Sequence, residues 1–166
     1  MRELFLVRHA KSSWDDPALS DFDRPLNSRG KEDAPLMGEY LKELGIKPDL
    51  IISSPAKRAK KTAKIIACKL GYPEDNIEWE ESIYEASPQT LLYLVCNLPE
   101  SAKRVMLIGH NPGFTTLANI LGDITIENIP TAGVVGIAFD TAKWSDACRM
   151  QGHTVVFEYP KRVRSG

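Results

Sequence analysis

The chain has 166 residues, of which 43% are hydrophobic and 26% charged, a composition typical of globular proteins that excludes disordered, collagenous and coiled-coil chains. Its 21 basic and 22 acidic residues give a net charge of −1, which argues against a dedicated nucleic-acid-binding protein. No repeat, low-complexity tract or linker interrupts the sequence, which predicts a single domain over residues 1–166.

Apolar runs and helical periodicities alternate along the chain. The predicted elements are, in order, a strand at 4–7, a polar loop at 11–27, a helix capped by Asn27 or Ser28, a strand at 50–52, a helix at about 56–70, a short edge strand at 76–80, a helix capped by Ser87, a strand at 105–108, a helix at 112–121 and β segments at 134–139 and 154–159. This alternation predicts an α/β domain with a mostly parallel sheet. The last strand follows no clear crossover helix, so we expect it to be an antiparallel edge.

The three cysteines, Cys68, Cys96 and Cys148, are widely spaced, and no Cys-x-x-C motif occurs. This pattern indicates neither a disulfide framework nor a zinc site, so we expect reduced thiols. The apolar run Leu4–Val7 is too short for the core of a signal peptide, and no run is long enough for a membrane span. The sequence therefore predicts a cytoplasmic protein with no membrane partner.

Basic side chains follow three of the predicted strands at their carboxyl ends. Arg8 and His9 follow the first, Arg58 lies in the first turn of the helix after the second, and His110 follows the strand at 105–108. Because ligands of open α/β sheets bind outside the carboxyl ends of the strands, we expect these side chains to converge. Two guanidinium groups without a cysteine or carboxylate cluster favour an anion site that needs no metal and no cofactor.

Each of these signals has an alternative interpretation when taken alone. An Arg-His pair after a strand is often a surface pair, and the residues around His110 are also typical of a turn before a helix. Arg58 also belongs to the basic run Lys57–Lys64, whose lysines we interpret as the solvated face of a helix. Binding of nucleic acid by this run is disfavoured because no aromatic residues interleave with the lysines.

Together, the motifs resemble those of a known family. The segments 8–10 (Arg-His-Ala), 53–55 (Ser-Ser-Pro) with Arg58, and 109–111 (Gly-His-Asn) are similar, in this order, to the histidine phosphatase (phosphoglycerate mutase-like) superfamily. The small size and the Arg-Pro-Leu element at 24–26 resemble its SixA branch of phosphohistidine phosphatases. The resemblance implies a three-layer α/β/α fold with a mostly parallel central sheet and an antiparallel edge strand.

The resemblance also implies a role for each matching residue. His9 corresponds to the nucleophile that carries the phosphoryl group, and Arg8 and Arg58 to the arginines that hold its oxygens. His110 corresponds to the second catalytic histidine, and Arg24 to a further phosphate-binding arginine. Asn111, next to His110, is expected to bind phosphate as well. One departure from the family pattern is Ala10, which replaces the usual glycine.

Several carboxylates are candidates for a general acid. The superfamily uses a carboxylate in this role, and Glu85 is the best match, with Glu80 and Glu81 as weaker candidates. The alternative is that Glu85 is a solvated residue just before a helix cap. Trp14, in the loop after His9, is expected to pack beneath that loop.

The resemblance favours a metal-independent phosphatase that hydrolyses phosphohistidine in a protein, such as a histidine-phosphotransfer domain, through a phosphohistidine enzyme intermediate. The chain lacks room for the long inserted caps of larger superfamily members. The alternatives are a phosphatase of a small phosphate ester or phosphorylated metabolite, and a non-catalytic phosphate-binding module on the same fold. We expect a monomer that binds no nucleic acid.

Overall fold

A six-stranded mixed sheet forms the centre of the molecule, and the computed structural model describes it together with all other residues from 1 to 166. The strands are β1 (Arg2–Arg8), β2 (Leu50–Ser53), β3 (Glu78–Trp79), β4 (Arg104–Gly109), β5 (Val134–Phe139) and β6 (His153–Glu158). The helices are α1 (Ser28–Glu43), α2 (Lys57–Leu70), α3 (Pro88–Cys96), α4 (Gly113–Leu121), α5 (Trp144–Ala147) and α6 (Pro160–Ser165).

The strands follow the order β3-β2-β4-β1-β5-β6. The first four are parallel to one another, β5 is antiparallel to β1, and β6 is antiparallel to β5. The predicted α/β class with a mostly parallel sheet and an antiparallel pairing at the β6 edge is therefore confirmed. Because β5 runs against its neighbour, its amino end, and not its carboxyl end, lies beside the carboxyl ends of β1 and β4.

Side chains of the strands alternate between two apolar layers, as the two-residue period of a strand requires. Leu4 and Leu6 point to one face, where they join α3, α4 and α5 in a cluster of 23 buried residues. Phe5 and Val7 point to the other face, where they join α1 and α2 in a cluster of 17 buried residues against which α6 also packs. The sheet is thus the middle of three layers.

Two helices, α1 and α3, begin at the caps that the sequence predicts. The side chain of Asn27 accepts a hydrogen bond from the Gly30 N–H, and that of Ser87 accepts one from the Thr90 N–H. The four-residue α5 and six-residue α6 were not predicted, because elements this short carry no readable apolar period. None of the helices has the length and apolar character needed to cross a membrane.

The expectation of reduced thiols is wrong for two of the three cysteines. Cys96 at the end of α3 and Cys148 directly after α5 form a disulfide, with their Cα atoms 5.3 Å apart. A separation of 52 residues hides this pair in the sequence, and only the packing of α3 against α5 on one face of the sheet brings it together. Cys68 remains free and exposed.

We therefore expect one reactive thiol per unfolded chain without reductant and three after reduction, measured with a thiol reagent in denaturant. Reduction should lower the free energy of unfolding by about 2–4 kcal/mol, because the crosslink restricts the unfolded chain. Cys68→Ser is the control and should leave that free energy unchanged. Three reactive thiols in a chain that was never reduced would contradict the crosslink.

Candidate active site

A polar cleft of about 470 Å³ opens at the carboxyl ends of β1, β2 and β4. The amino end of β5 completes it, and Thr131 from the preceding loop contributes to the lining. The cleft brings together all seven residues predicted from the sequence: Arg8, His9, Arg24, Arg58, Glu85, His110 and Asn111. No group of three or more His, Cys, Asp or Glu side chains is arranged to hold a metal ion.

His9 leaves the end of β1 with a defined ring tautomer. Its Nδ1 lies 2.7 Å from the carbonyl oxygen of Ala10, so Nδ1 carries the proton and donates it in this hydrogen bond. Nε2 is then unprotonated, and it accepts a hydrogen bond from Nε of Arg58 at 3.4 Å. Burial lowers the pKa of His9 to about 3, and the charges of Arg58 and Arg8 act in the same direction. The ring is therefore neutral at physiological pH, and its unprotonated Nε2 is held by the hydrogen bond from Arg58.

His110 lies beside His9, with the two ring centroids 5.2 Å apart. Its Nε2 is 2.7 Å from Oγ of Ser54, and the same Oγ accepts a hydrogen bond from the backbone N–H of Ala56. The Ser54 hydroxyl donates to no other group, so we assign its proton to the bond with Nε2, which places the ring proton on Nδ1. Burial, reinforced by the charge of Arg58, lowers the pKa of His110 to about 4. Nδ1 is buried and has no partner in the protein, so it is a donor without an acceptor.

Arg8 is held by a backbone carbonyl and carries an unused donor. Nη1 of Arg8 donates to the carbonyl of Ile129 at 2.9 Å, while its Nε is buried and unpartnered. A buried donor without a partner is costly, and an anion would satisfy it. Burial lowers the pKa of Arg8, yet a guanidinium retains its charge at any physiological pH.

Asp21 is the central finding that the sequence did not predict. It lies in the short 3₁₀ helix Asp21–Asp23 and extends its carboxylate into the cleft. Oδ1 accepts from Nη2 of Arg24 at 2.9 Å, and Oδ2 accepts from Nη2 of Arg58 at 3.0 Å and from the hydroxyl of Tyr84 at 2.5 Å. Burial by itself would raise the pKa of Asp21, but the hydrogen bonds from Tyr84, Arg24 and Arg58 outweigh it and hold that pKa well below its usual range. An ionised carboxylate thus occupies the donors that suit a phosphoryl group.

No sequence signal distinguishes Asp21. The loop also contains Asp15, Asp16 and Asp23, and an acidic residue is not expected in an anion site. Tyr84 was missed for a similar reason, since only its position next to Glu85 connects it to the site. Burial and the adjacent Asp21 carboxylate raise the pKa of Tyr84 to about 12, so its hydroxyl stays protonated and donates.

The expectation that Trp14 packs beneath its loop is wrong. The residue is 76% exposed, and the Arg24 guanidinium stacks 3.6 Å from the centre of its ring. The same guanidinium also donates to Oγ of Ser12 and to the carboxylate of Asp21. The ring therefore covers the outer side of Arg24 in a cation–π contact and leaves the apolar interior to other residues.

The side-chain amide of Asn111, predicted to bind phosphate, is engaged within the protein. Its Nδ2 donates to Oδ1 of Asn128 and to the carbonyl of Ile129, both at 3.0 Å. Its Oδ1 accepts from the backbone N–H and the hydroxyl of Thr115. These bonds use the full capacity of the amide. Asn111 instead holds the loop whose Ile129 carbonyl positions Arg8.

Glu85 lines the cleft at its mouth. Its side chain is exposed, and no hydrogen bond or ion pair within the protein involves its carboxylate. Its φ of 55° lies in the left-handed region, which is uncommon for a residue with a side chain and often marks functional sites. The geometry places Glu85 at the cleft without assigning it a partner.

Residues 4–87 match the family model of the histidine phosphatase superfamily (branch 1). An uncharacterised chloroplastic protein of Arabidopsis thaliana is 33% identical over 159 residues, which cover 91% of this chain and 72% of that protein. The chain belongs to the histidine phosphatase superfamily. An uncharacterised protein of Mycobacterium tuberculosis is 28% identical over 150 residues, which cover 84% of this chain and 90% of that protein.

Solved structures show the same relationship for this histidine phosphatase. A protein from Agrobacterium tumefaciens assigned as the phosphohistidine phosphatase SixA superposes with a TM-score of 0.80 at 27% identity, covering 96% of this chain and 98% of that one. The protein histidine phosphatase SixA in complex with tungstate superposes with a TM-score of 0.82 at 22% identity, covering 97% and 99%. The phosphoglycerate mutase-like fold of SixA type is thereby confirmed, and the protein is a phosphatase.

Asp21→Asn should increase the affinity of this histidine phosphatase for inorganic phosphate by about 10-fold, or about 1.4 kcal/mol, measured by calorimetry. The reason is that the variant removes the carboxylate that competes for Arg24 and Arg58. Asp23→Asn is the matched control, because it has the same charge change and its carboxylate accepts only from Oγ of Ser20. Equal phosphate affinities in the two variants would show that Asp21 does not compete.

His9 and His110 should remain neutral in the folded protein at pH 5, in phosphate-free buffer, as measured by their imidazole ¹⁵N shifts. In the urea-unfolded chain both should titrate near 6.5. The unfolded chain then binds more protons than the folded one below pH 6.5, so the contribution of these rings to stability is lost as the pH falls from 6.5 toward 4 and 3. A titration midpoint near pH 6.5 for either imidazole in the folded protein would show that burial does not lower its pKa.

Proposed function

We propose that this phosphatase hydrolyses phosphohistidine in a protein, without a metal ion, through a phosphohistidine formed on His9. The observation that carries the proposal is the neutral His9 imidazole. Its Nδ1 proton is donated to the Ala10 carbonyl, and its unprotonated Nε2 accepts a long hydrogen bond from Arg58 in an anion-binding cleft, a bond that Arg58 exchanges for a phosphoryl oxygen when substrate binds. A nitrogen nucleophile needs an unprotonated lone pair in a fixed orientation, and both conditions are met here.

In the first step, Nε2 of His9 attacks phosphorus. The new Nε2–P bond forms as the bond from phosphorus to the substrate imidazole breaks. Arg8, Arg24 and Arg58 hold the phosphoryl oxygens in place of the Asp21 carboxylate, and Nδ1–H of His110 donates to the same group. Fixed donors of this kind stabilise the charge of the transition state, which is most of what phosphoryl transfer requires.

In the second step, water attacks the phosphorus of the phosphorylated His9. The Nε2–P bond breaks and its electron pair returns to Nε2, while both protons of the water remain on the released dihydrogen phosphate. The ring is restored to the tautomer that the Ala10 carbonyl holds. No metal ion enters either step, because the positive charge comes from arginines.

The leaving group supports a phosphohistidine substrate over an ordinary phosphate ester. Asp21 is held in its ionised form, so the exposed Glu85 is the one carboxyl group of the cleft left to protonate a leaving group. An alkoxide leaving from an ester needs a proton. An imidazole whose second nitrogen carries a proton leaves as a neutral ring and needs none.

The shape of the site supports a protein substrate such as a histidine-phosphotransfer domain. No inserted domain covers the cleft, so a phosphorylated side chain protruding from another protein has access to it. A small phosphorylated metabolite is the second candidate, since a cleft of about 470 Å³ is also large enough for such a ligand. We propose that the protein acts as a monomer.

The sequence predicts a cytoplasmic location, and the disulfide is the structural feature that bears on it. The disulfide Cys96–Cys148 argues against a reducing compartment, because such bonds persist chiefly in oxidising ones. The chloroplastic location of the Arabidopsis thaliana protein is a property of that relative.

The proposal is tested with a phosphohistidine peptide and a phosphoserine peptide of the same sequence, next to a panel of phosphorylated metabolites. The phosphohistidine peptide should have the highest kcat/KM. Glu85→Gln should lower phosphoserine hydrolysis by roughly 10²–10⁴-fold and phosphohistidine hydrolysis only slightly, because only the alkoxide needs a proton. Small losses on both substrates would identify Glu85 as a solvated bystander.

Controls separate the remaining parts of the proposal. His9→Ala should abolish turnover with an unchanged circular dichroism spectrum, and acid-labile label should be trapped on His9 in the parent protein. Label on His110 would reverse the two roles. A chelator should leave the rate unchanged, and a loss restored by magnesium would contradict metal independence. Preferred turnover of a metabolite would favour the second candidate.

A further inference from the structure

A second groove, of about 630 Å³, lies next to the active-site cleft and is lined mainly by lysines. Pro25 and Leu26 form part of its wall. The other lining residues are Lys31 from α1 and Lys57, Lys60, Lys61 and Lys64 from α2. No acidic side chain lines this lysine groove.

Residues that line the lysine groove are direct sequence neighbours of the arginines predicted to bind phosphate. Lys57 directly precedes Arg58, and Pro25 directly follows Arg24. Positions 57, 60, 61 and 64 share one side of α2, so their charges extend about 10 Å along the helix from the cleft. A ligand whose phosphoryl group is bound in the cleft therefore has a cationic track beside it.

The lysines of the groove are uncompensated in the free protein. None of them forms an ion pair, whereas Lys69 at the other end of α2 pairs with Glu39 at 3.9 Å. Like charges four positions apart on a helix repel each other, and Lys57 and Lys60 each have such a neighbour. Lys57 also lies at the amino end of α2, where the helix dipole disfavours a cation. A bound anion would therefore neutralise lysine charge that no acidic side chain of the groove pairs with.

The composition of the groove favours an acidic polypeptide over a nucleic acid. Nucleic acids that bind along a basic groove also stack their bases on aromatic rings. No aromatic residue lines this groove, and Trp79, whose ring centre lies 5.2 Å from Nζ of Lys60, is outside it. Carboxylates spaced along an extended segment suit the spacing of the lysines and the apolar wall formed by Leu26.

We propose that the lysine groove docks an acidic segment of the phosphoprotein substrate next to its phosphorylated histidine. This inference rests on the proposed function and adds a determinant of substrate choice. The groove raises the affinity for acidic phosphoproteins and takes no part in the chemical steps. Its contribution is electrostatic, so it weakens as the ionic strength rises.

The test compares two phosphohistidine peptides, one flanked by glutamates and one by glutamines, in the parent protein and in the triple variant Lys60→Gln/Lys61→Gln/Lys64→Gln. A small aryl phosphate reports the chemistry without docking. The matched control is Lys47→Gln/Lys103→Gln/Lys143→Gln, which makes the same charge change at exposed positions. Lys47 and Lys103 lie just before β2 and β4, at the amino ends of these strands and away from the cleft. Anisotropy of a labelled, unphosphorylated glutamate peptide measures docking independently of turnover.

In the parent protein, kcat/KM for the glutamate peptide should exceed that for the glutamine peptide by about 10-fold at low salt, the order expected for a few exposed ion pairs. The groove variant should lose this preference and keep its rate on the aryl phosphate, while the control variant keeps both. Equal kcat/KM for the two peptides in the parent protein would overturn the proposal, as would tighter binding of a single-stranded oligonucleotide than of the glutamate peptide. If neither phosphohistidine peptide is hydrolysed, the proposed function fails, and groove-dependent binding of the unphosphorylated peptide still decides whether the groove docks acidic chains.

Discussion

The parallel pairing of β1 with β4 is the constraint on which the active site depends. Their register places Arg8 opposite Gly109, so His9 and His110 leave the sheet side by side. Gly109 allows this approach, because a Cβ at that position would lie 2.5 Å from the ring of Phe114 and 2.7 Å from Ile83. A side chain there would displace the residues that pack beneath the cleft. The distance between the two imidazoles therefore depends on packing in the core as well as on contacts within the site.

Burial and charge set the chemistry of these imidazoles together. His9 and His110 are only 7% and 8% exposed and lie among arginines, so protonation of either ring is unfavourable and both remain neutral. The same arginines would repel one another in an empty cleft. The Asp21 carboxylate neutralises part of that charge in the free protein and uses donors that a phosphoryl group would otherwise occupy. In the free protein, the Asp21 carboxylate thus stabilises a cleft whose arginines are arranged to bind an anionic ligand.

The two cationic surfaces of the molecule differ in this respect. In the cleft, Arg24 and Arg58 are paired with Asp21, whereas the lysines of the neighbouring groove have no acidic partner. When a phosphoryl group replaces the Asp21 carboxylate in the cleft, the net charge of the cleft changes little. A ligand bound at the groove neutralises lysine charges that no acidic side chain balances. The cleft is therefore suited to selecting a phosphoryl group, and the groove to selecting what surrounds it.

The sequence alone determined the α/β class, the caps at Asn27 and Ser87, and the convergence of Arg8, His9, Arg58 and His110, because strand ends and helix caps depend on local patterns. Only the tertiary structure decided that Asp21 reaches Arg58, that Asn111 is occupied by the Ile129 loop, and that Trp14 covers Arg24 from outside. It also brings Cys96 and Cys148 close enough to form a disulfide and makes β5 antiparallel to β1. All of these features depend on how segments that are distant in the sequence pack together. Such contacts produce no periodicity or residue spacing in the local sequence, so the sequence does not predict them.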